Sequence, residues 1–173
     1  MRSLCLVAVI AAALVAASFS ARAQTPPQPK YGCDSPESKQ LDFWVGEWEL
    51  TYGGMKSRNR ITKVLDGCAI LEEFSGAPGS KLDGRSFSQF DTATKQWKQT
   101  WVDNTGGYLD FNGGIVEGQM QFWRDVQKDG KKIRSRMVWR DVKTDTLTWL
   151  WQSSADEGKT WKTLWEIAYK RLP

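Results

Sequence analysis

Histidine is absent from all 173 residues of the chain. Catalytic triads built on imidazole, zinc sites with histidine ligands and histidine-ligated haem are therefore excluded. Charge of a single sign is lacking as well. Without Arg2 and Arg22, which lie in the N-terminal segment discussed below, the 24 basic residues become 22 against 20 acidic ones, a net +2. Phosphate binding needs a concentrated basic face, so no nucleic-acid partner is expected. The densest basic stretch, Lys128 to Lys132, reads as a solvated hairpin turn.

Long apolar runs are confined to the N-terminus. Arg2 precedes an apolar run from Leu4 to Ala17, and Ala21-Arg22-Ala23 supplies a small-x-small cleavage signal. This is the pattern of a secretory signal peptide over residues 1–23, and it is too short for a stable membrane anchor. No cysteine follows at the cleavage point, so a lipoprotein-type anchor is not indicated. The mature chain of 150 residues (173 less 23) is expected to be periplasmic or secreted, with no membrane span, and is long enough for one domain with a real core. Its first part, residues 24–34, carries Pro26, Pro27 and Pro29 and reads as an extended leader; the folded domain is expected over 35–173.

Cysteine is scarce too, three residues in all. Cys5 leaves with the signal, and an isolated pair in an exported protein, Cys33 and Cys68, is most simply a disulfide; two separate buried thiols are the alternative.

Helical period is nearly missing. Asp34-Ser-Pro-Glu37 carries helix-start chemistry and predicts at most two helical turns, roughly Pro36 to Phe43. From Phe43 onward apolar and polar residues alternate, with Trp44, Gly46, Trp48, Leu50 and Tyr52 on one side. Period two continues through about ten runs separated by turn chemistry such as Asp66-Gly67, Asp83-Gly84, Asn112-Gly-Gly114 and Lys128-Asp-Gly130. The predicted fold is all-β, a single antiparallel up-and-down barrel of about ten strands with a short N-terminal helix capping one end, because closure removes exposed edges. Closure also pairs the first strand with the last. Trp165, Ile167, Tyr169 and Arg171 share a face, which brings Arg171 near Trp48 for a cation–π contact of about 0.5–2 kcal/mol, with Gly46 admitting close backbone approach.

Gly46-x-Trp48 at the start of a first strand resembles the signature of the calycins, the lipocalins and fatty-acid-binding-protein-like relatives. In lipocalins that Trp plugs the closed barrel end and a basic residue of the last strand stacks on it. Leu41 to Leu50, Asn59 to Cys68, Gln99 to Gly107 and Ser154 to Trp161 look like an exported bacterial family classed only as a domain of unknown function within the calycin-like group. The resemblance implies a barrel and transfers no activity, no cofactor and no catalytic residue. Some calycin relatives hold haem through histidine, which this chain cannot do. Ser154-x-Asp-x-Gly-x-Thr-Trp161 also matches the Asp-box turn of sialidase-like propellers; as one copy it is a stiff hairpin and no evidence for glycosidase chemistry. Gly158-Lys-Thr160 lacks the upstream glycine of a phosphate loop.

What the chain has in abundance is tryptophan, ten residues. Same-face pairs, Trp97 with Trp101, Trp149 with Trp151 and Trp161 with Trp165, either line a cavity or fill a narrow barrel with rings. Glu72 shares parity with Ile70 and Phe74 and is the carboxylate expected inside, paired with a cation such as Arg60, while Arg134, Arg136 and Arg140 should face water. Gln99 and Asp103 lie on the Trp101 face. The leading expectation is a barrel that binds a small hydrophobic or amphiphilic molecule, with Arg60, Glu72 and Gln99 orienting it and Trp101, Trp139, Trp149 and Trp165 packing it. A histidine-free enzyme using Glu72 or Asp103 for proton transfer, which needs a raised pKa, and a filled structural or envelope-interaction barrel are the alternatives.

Overall fold

A computed structural model describes residues 32–173. The expected signal peptide and the leader up to residue 31 lie outside the described residues. Ten strands follow in order: β1 (Gly46–Tyr52), β2 (Met55–Val64), β3 (Ala69–Ser75), β4 (Asp83–Asp91), β5 (Gln96–Asp103), β6 (Tyr108–Val116), β7 (Gln119–Lys128), β8 (Lys131–Arg140), β9 (Thr146–Ser154) and β10 (Lys162–Arg171). Each pairs antiparallel with its neighbours in sequence, and β1 pairs with β10, so the sheet closes into an up-and-down barrel. The pleat explains the alternation read in the sequence. In β4, for example, Gly84, Ser86, Ser88 and Phe90 are buried while Arg85, Phe87 and Gln89 are exposed.

Trp48 stands opposite Arg171 in the β1–β10 register. The Arg171 guanidinium lies 4.1 Å from the Trp48 ring centroid. It also donates to the carbonyls of Val45 at 2.7 Å, Phe43 at 3.1 Å and Thr144 at 2.8 Å, tying three chain segments together at one end of the barrel. Gly46 makes room for it: its φ is +145°, and a Cβ there would coincide with the guanidinium.

That end is plugged by the segment before β1. The expected short helical segment is present and is built of 3-10 turns: Gly32–Asp34 precedes it, and Glu37–Lys39 and Asp42–Trp44 make it up. The first falls at the end of the expected leader. The break between the latter two lets both Leu41 and Trp44 turn inward, and each is at most 1% exposed. Trp44 packs edge-on to Trp139 with centroids 5.1 Å apart, and Phe122 meets Trp139 at 5.5 Å. Each fully buried ring of this kind contributes about 2–3 kcal/mol. Cys33 and Cys68 are joined as a disulfide, Cα atoms 4.7 Å apart, which fastens the plug to the turn between β2 and β3. A disulfide belongs to an oxidising, extracytoplasmic compartment.

Three expectations about the chain path are corrected. Asp83-Gly84 is no turn but opens β4, paired with Ser75 and Phe74. Asn112-Gly-Gly114 is no turn but lies inside β6; the turn falls at Glu117-Gly118, where both residues have positive φ. Gly113 is there because Phe122 packs directly on its backbone, where a Cβ would stand 2.6 Å from the ring. Trp161 and Trp165 do not share a face. A bulge between Thr163 and Trp165 shifts the register, turning Trp165 inward, and leaves Trp161 on the outer surface with the Arg136 guanidinium 3.8 Å over its ring.

Candidate ligand-binding site

The barrel interior divides into two halves. The plugged half is filled: Trp48, Trp97, Phe122 and Trp139 are at most 1% exposed. Toward the opposite end, near Leu82 and the turn after Asp103, the interior opens into a cavity of about 260 Å³. Trp101, Trp149, Trp151 and Trp165 line it and are half-buried, whereas the rings of the plugged end are fully buried. Trp44 separates the two regions, packing on Trp139 on one side and lining the cavity on the other.

Local structure fixes the wall rings. Trp101 stands opposite Ser86 in the β4–β5 register with its ring over Gly84, where a Cβ would sit inside the indole. Its Nε1–H donates to Asp103 Oδ2 at 2.9 Å. Trp149 and Trp151 are stacked within 10° of parallel, and Trp165 stands at 87° to Trp149. Phe74 meets Trp165 at 83° and Phe111 meets Trp151 at 85°. Mutually perpendicular rings present both faces and edges to the enclosed space.

Glu72 is the polar group set into this aromatic lining. It is buried, and its two oxygens accept from Asn59 Nδ2 at 2.7 Å and Ser86 Oγ at 2.6 Å. Asn59 Nδ2 also donates to the Tyr169 hydroxyl at 3.1 Å. Burial pushes the Glu72 carboxyl above the ordinary carboxylate range, against the lowering effect of the hydrogen bonds from Ser86 and Asn59 and of the Arg85 charge. Between the ordinary range and that raised value, the folded state holds a proton that the unfolded chain has released. Through that window Glu72 therefore lowers stability as pH rises. Gln99 lines the cavity beside it and donates to Ser88 Oγ at 2.9 Å.

The expected site residues separate accordingly. Glu72, Gln99, Trp101, Trp149 and Trp165 come together around the cavity. Arg60 does not. Asn59 and Ile61 take the inward positions of β2, so Arg60 points out to water, near Glu47 at 3.4 Å and Glu73 at 3.7 Å. Trp139 points inward but belongs to the filled end, outside the cavity lining. Asp103 lines the rim, yet it is not the raised carboxyl a proton-transfer role needs. Hydrogen bonds from Thr105, Trp101 and Gly107 hold it well below the usual carboxylate range.

Sequence reasoning passed over Asn59, Ser86, Tyr169 and Trp151 as site residues. Parity was the available signal: Asn59 pairs with Trp48 and Phe74, and Ser86 with Glu72 and Trp101, so each is forced inward by the register. Among the described residues no group of three or more His, Cys, Asp or Glu is placed to hold a metal ion. No protein-family model matches the chain, and no curated protein matches its sequence. What the site can do is therefore read from its own geometry.

Proposed function

We propose that this chain is an exported, calycin-like barrel that binds one small molecule, largely apolar with a single polar group, in its open half. The carrying observation is the aromatic cavity with one buried hydrogen-bonded carboxyl, Glu72, in its wall. The disulfide supports an extracytoplasmic site of action, periplasmic or secreted. A dry apolar cavity of about 150 Å³ accommodates a benzene ring. At about 260 Å³ this one fits one or two fused rings with a short polar arm and is too small for an extended fatty acyl chain. A filled structural barrel describes the plugged half only. A proton-transfer enzyme has weaker support, because Glu72 lacks a second proton carrier: Asp103 is held ionised and burial pushes the Tyr169 phenol upward.

Titration with neutral indole and 2-phenylethanol, read by tryptophan fluorescence, tests this reading. A saturable one-to-one response is expected, and Leu109→Trp, which puts an indole into the cavity across from Trp101, should abolish it while the barrel stays folded. No saturable response to either compound up to its solubility limit, nor to charged analogues of the same size, would rule the binding role out.

A further inference from the structure

Among the described residues, the charged side chains that line the cavity are Glu72 and Asp103, both acidic. Arg60 is outside, and Arg124, over Phe111 at 5.8 Å and near Asp110 at 3.6 Å, is not part of the lining. A carboxylate or phosphate ligand would enter against two like charges with no cation in the lining itself, while an uncharged ligand would leave the conflict at Glu72 untouched. That conflict is geometric. Asn59 and Ser86 place polar groups on both Glu72 oxygens, at 2.7 and 2.6 Å, an arrangement that suits the ionised carboxylate. Among the described residues the cation that acts on it is Arg85, which points outward to Glu73 and offsets its burial only in part.

The other titratable or charged groups around Glu72 are few. Tyr169 faces it from β10, Asp103 lies at the rim end of β5, and Arg85 of β4 points outward to Glu73 at 3.7 Å. None of these supplies a positive charge in the cavity lining; Arg124, on the inward parity of Phe122 in β7 with its Nε buried and unpaired, lies behind Phe111 and turns toward Asp110. The aromatic walls point the same way, since the rings of Trp149 and Trp165 meet at right angles and the Trp101 ring covers Gly84. A cage of π faces attracts a cation that has left water.

We propose that the ligand is a small organic cation, a protonated amine on a flat apolar body, with its ammonium group set against Glu72 and its body between the tryptophans. The inference rests on the binding role proposed above and names its ligand class. At a pH where burial keeps the Glu72 carboxyl protonated, the entering ammonium displaces that proton to solvent, so the cavity exchanges one positive charge for another. Asp103, ionised at the rim, adds attraction along the way in. Amine affinity therefore rises with pH through the Glu72 titration, about tenfold per pH unit below its midpoint, and levels off above it.

The test is calorimetric titration of three matched probes, 2-phenylethylamine, 2-phenylethanol and 3-phenylpropionate, into the full mature protein from pH 5 to pH 8. The amine is expected to bind at least tenfold tighter than the alcohol at pH 7.5, the acid weakest of the three, with uptake of the released proton visible in buffers of different ionisation enthalpy. Glu72→Gln should bring the amine down to the affinity that the same variant shows for the alcohol and flatten the amine's pH profile. If that variant does not fold, the pH profile and proton release of the wild type carry the test by themselves. The inference is overturned, with the binding role intact, if the alcohol or the acid binds as tightly as the amine, or if amine binding releases no proton. If none of the three probes binds, the binding role falls as well.

Discussion

Arg171→Ala is expected to lower the unfolding free energy by about 3 kcal/mol, a fall in Tm of roughly 10 °C for a domain of this size. Three carbonyls, of Val45, Phe43 and Thr144, lose their donor together, and the face of Trp48 loses its cation. Hydrogen bonds from a charged donor contribute about 1.5–3 kcal/mol each. The total stays below their sum because the Arg171 side chain is 27% exposed and water replaces part of what is lost. Arg171→Lys should recover less than half, since an ammonium cannot span the Phe43 and Val45 carbonyls while lying flat on an indole. Arg60→Ala is the control. Its ion pairs with Glu47 and Glu73 are long and its side chain is 59% exposed, so the change is expected to stay within about 0.5 kcal/mol. Urea unfolding of the three variants checks this; equal losses at Arg171 and Arg60 would mean the closure is not where the β1–β10 register puts it.

Replacing Cys33 and Cys68 together by serine is expected to cost about 4 kcal/mol. The bridged residues are 35 apart in sequence, and loop-closure entropy of that length, lost from the unfolded chain, has about this magnitude. The loss should appear as a lower urea midpoint at nearly constant slope per residue exposed, because Leu41 and Trp44 still plug the barrel by their own burial. Reduction of the wild-type protein should give the same shift. A loss under about 1 kcal/mol would show that the plug holds the closed end without the bridge.

Most of the barrel was legible because period two is a strong signal. β3 and β5 run as the alternation predicts, from Ala69 to Ser75 and from Gln96 to Asp103. What failed had local causes that sequence spacing does not carry. Asn112-Gly-Gly114 has turn composition, but Gly113 is required by the Phe122 ring from the next strand, a tertiary contact. Trp161 and Trp165 have same-face spacing, but one bulge between them reverses the face. In the site, Glu72 was legible from its parity with Ile70 and Phe74. Its partner was not, since Asn59 and Arg60 are adjacent and the choice between them depends on which parity of β2 faces in. The Glu47↔Arg60 and Ile61↔Glu72 pairings decide it. Trp139 illustrates the remaining difficulty: parity gives inward or outward, but height along the barrel axis, filled end or open end, comes only from the assembled sheet.

Everything functional here depends on one carboxyl group buried beside a ligand-sized space. The most direct measurement is an NMR titration of the Glu72 side-chain carboxyl in ¹³C-glutamate-labelled protein, assigned with Glu72→Gln, with and without 2-phenylethylamine. The expected result is a midpoint above the ordinary carboxylate range in the empty protein, shifting down when the amine is bound. A carboxyl that titrates in the ordinary range, and at the same pH with the amine present, would contradict the account.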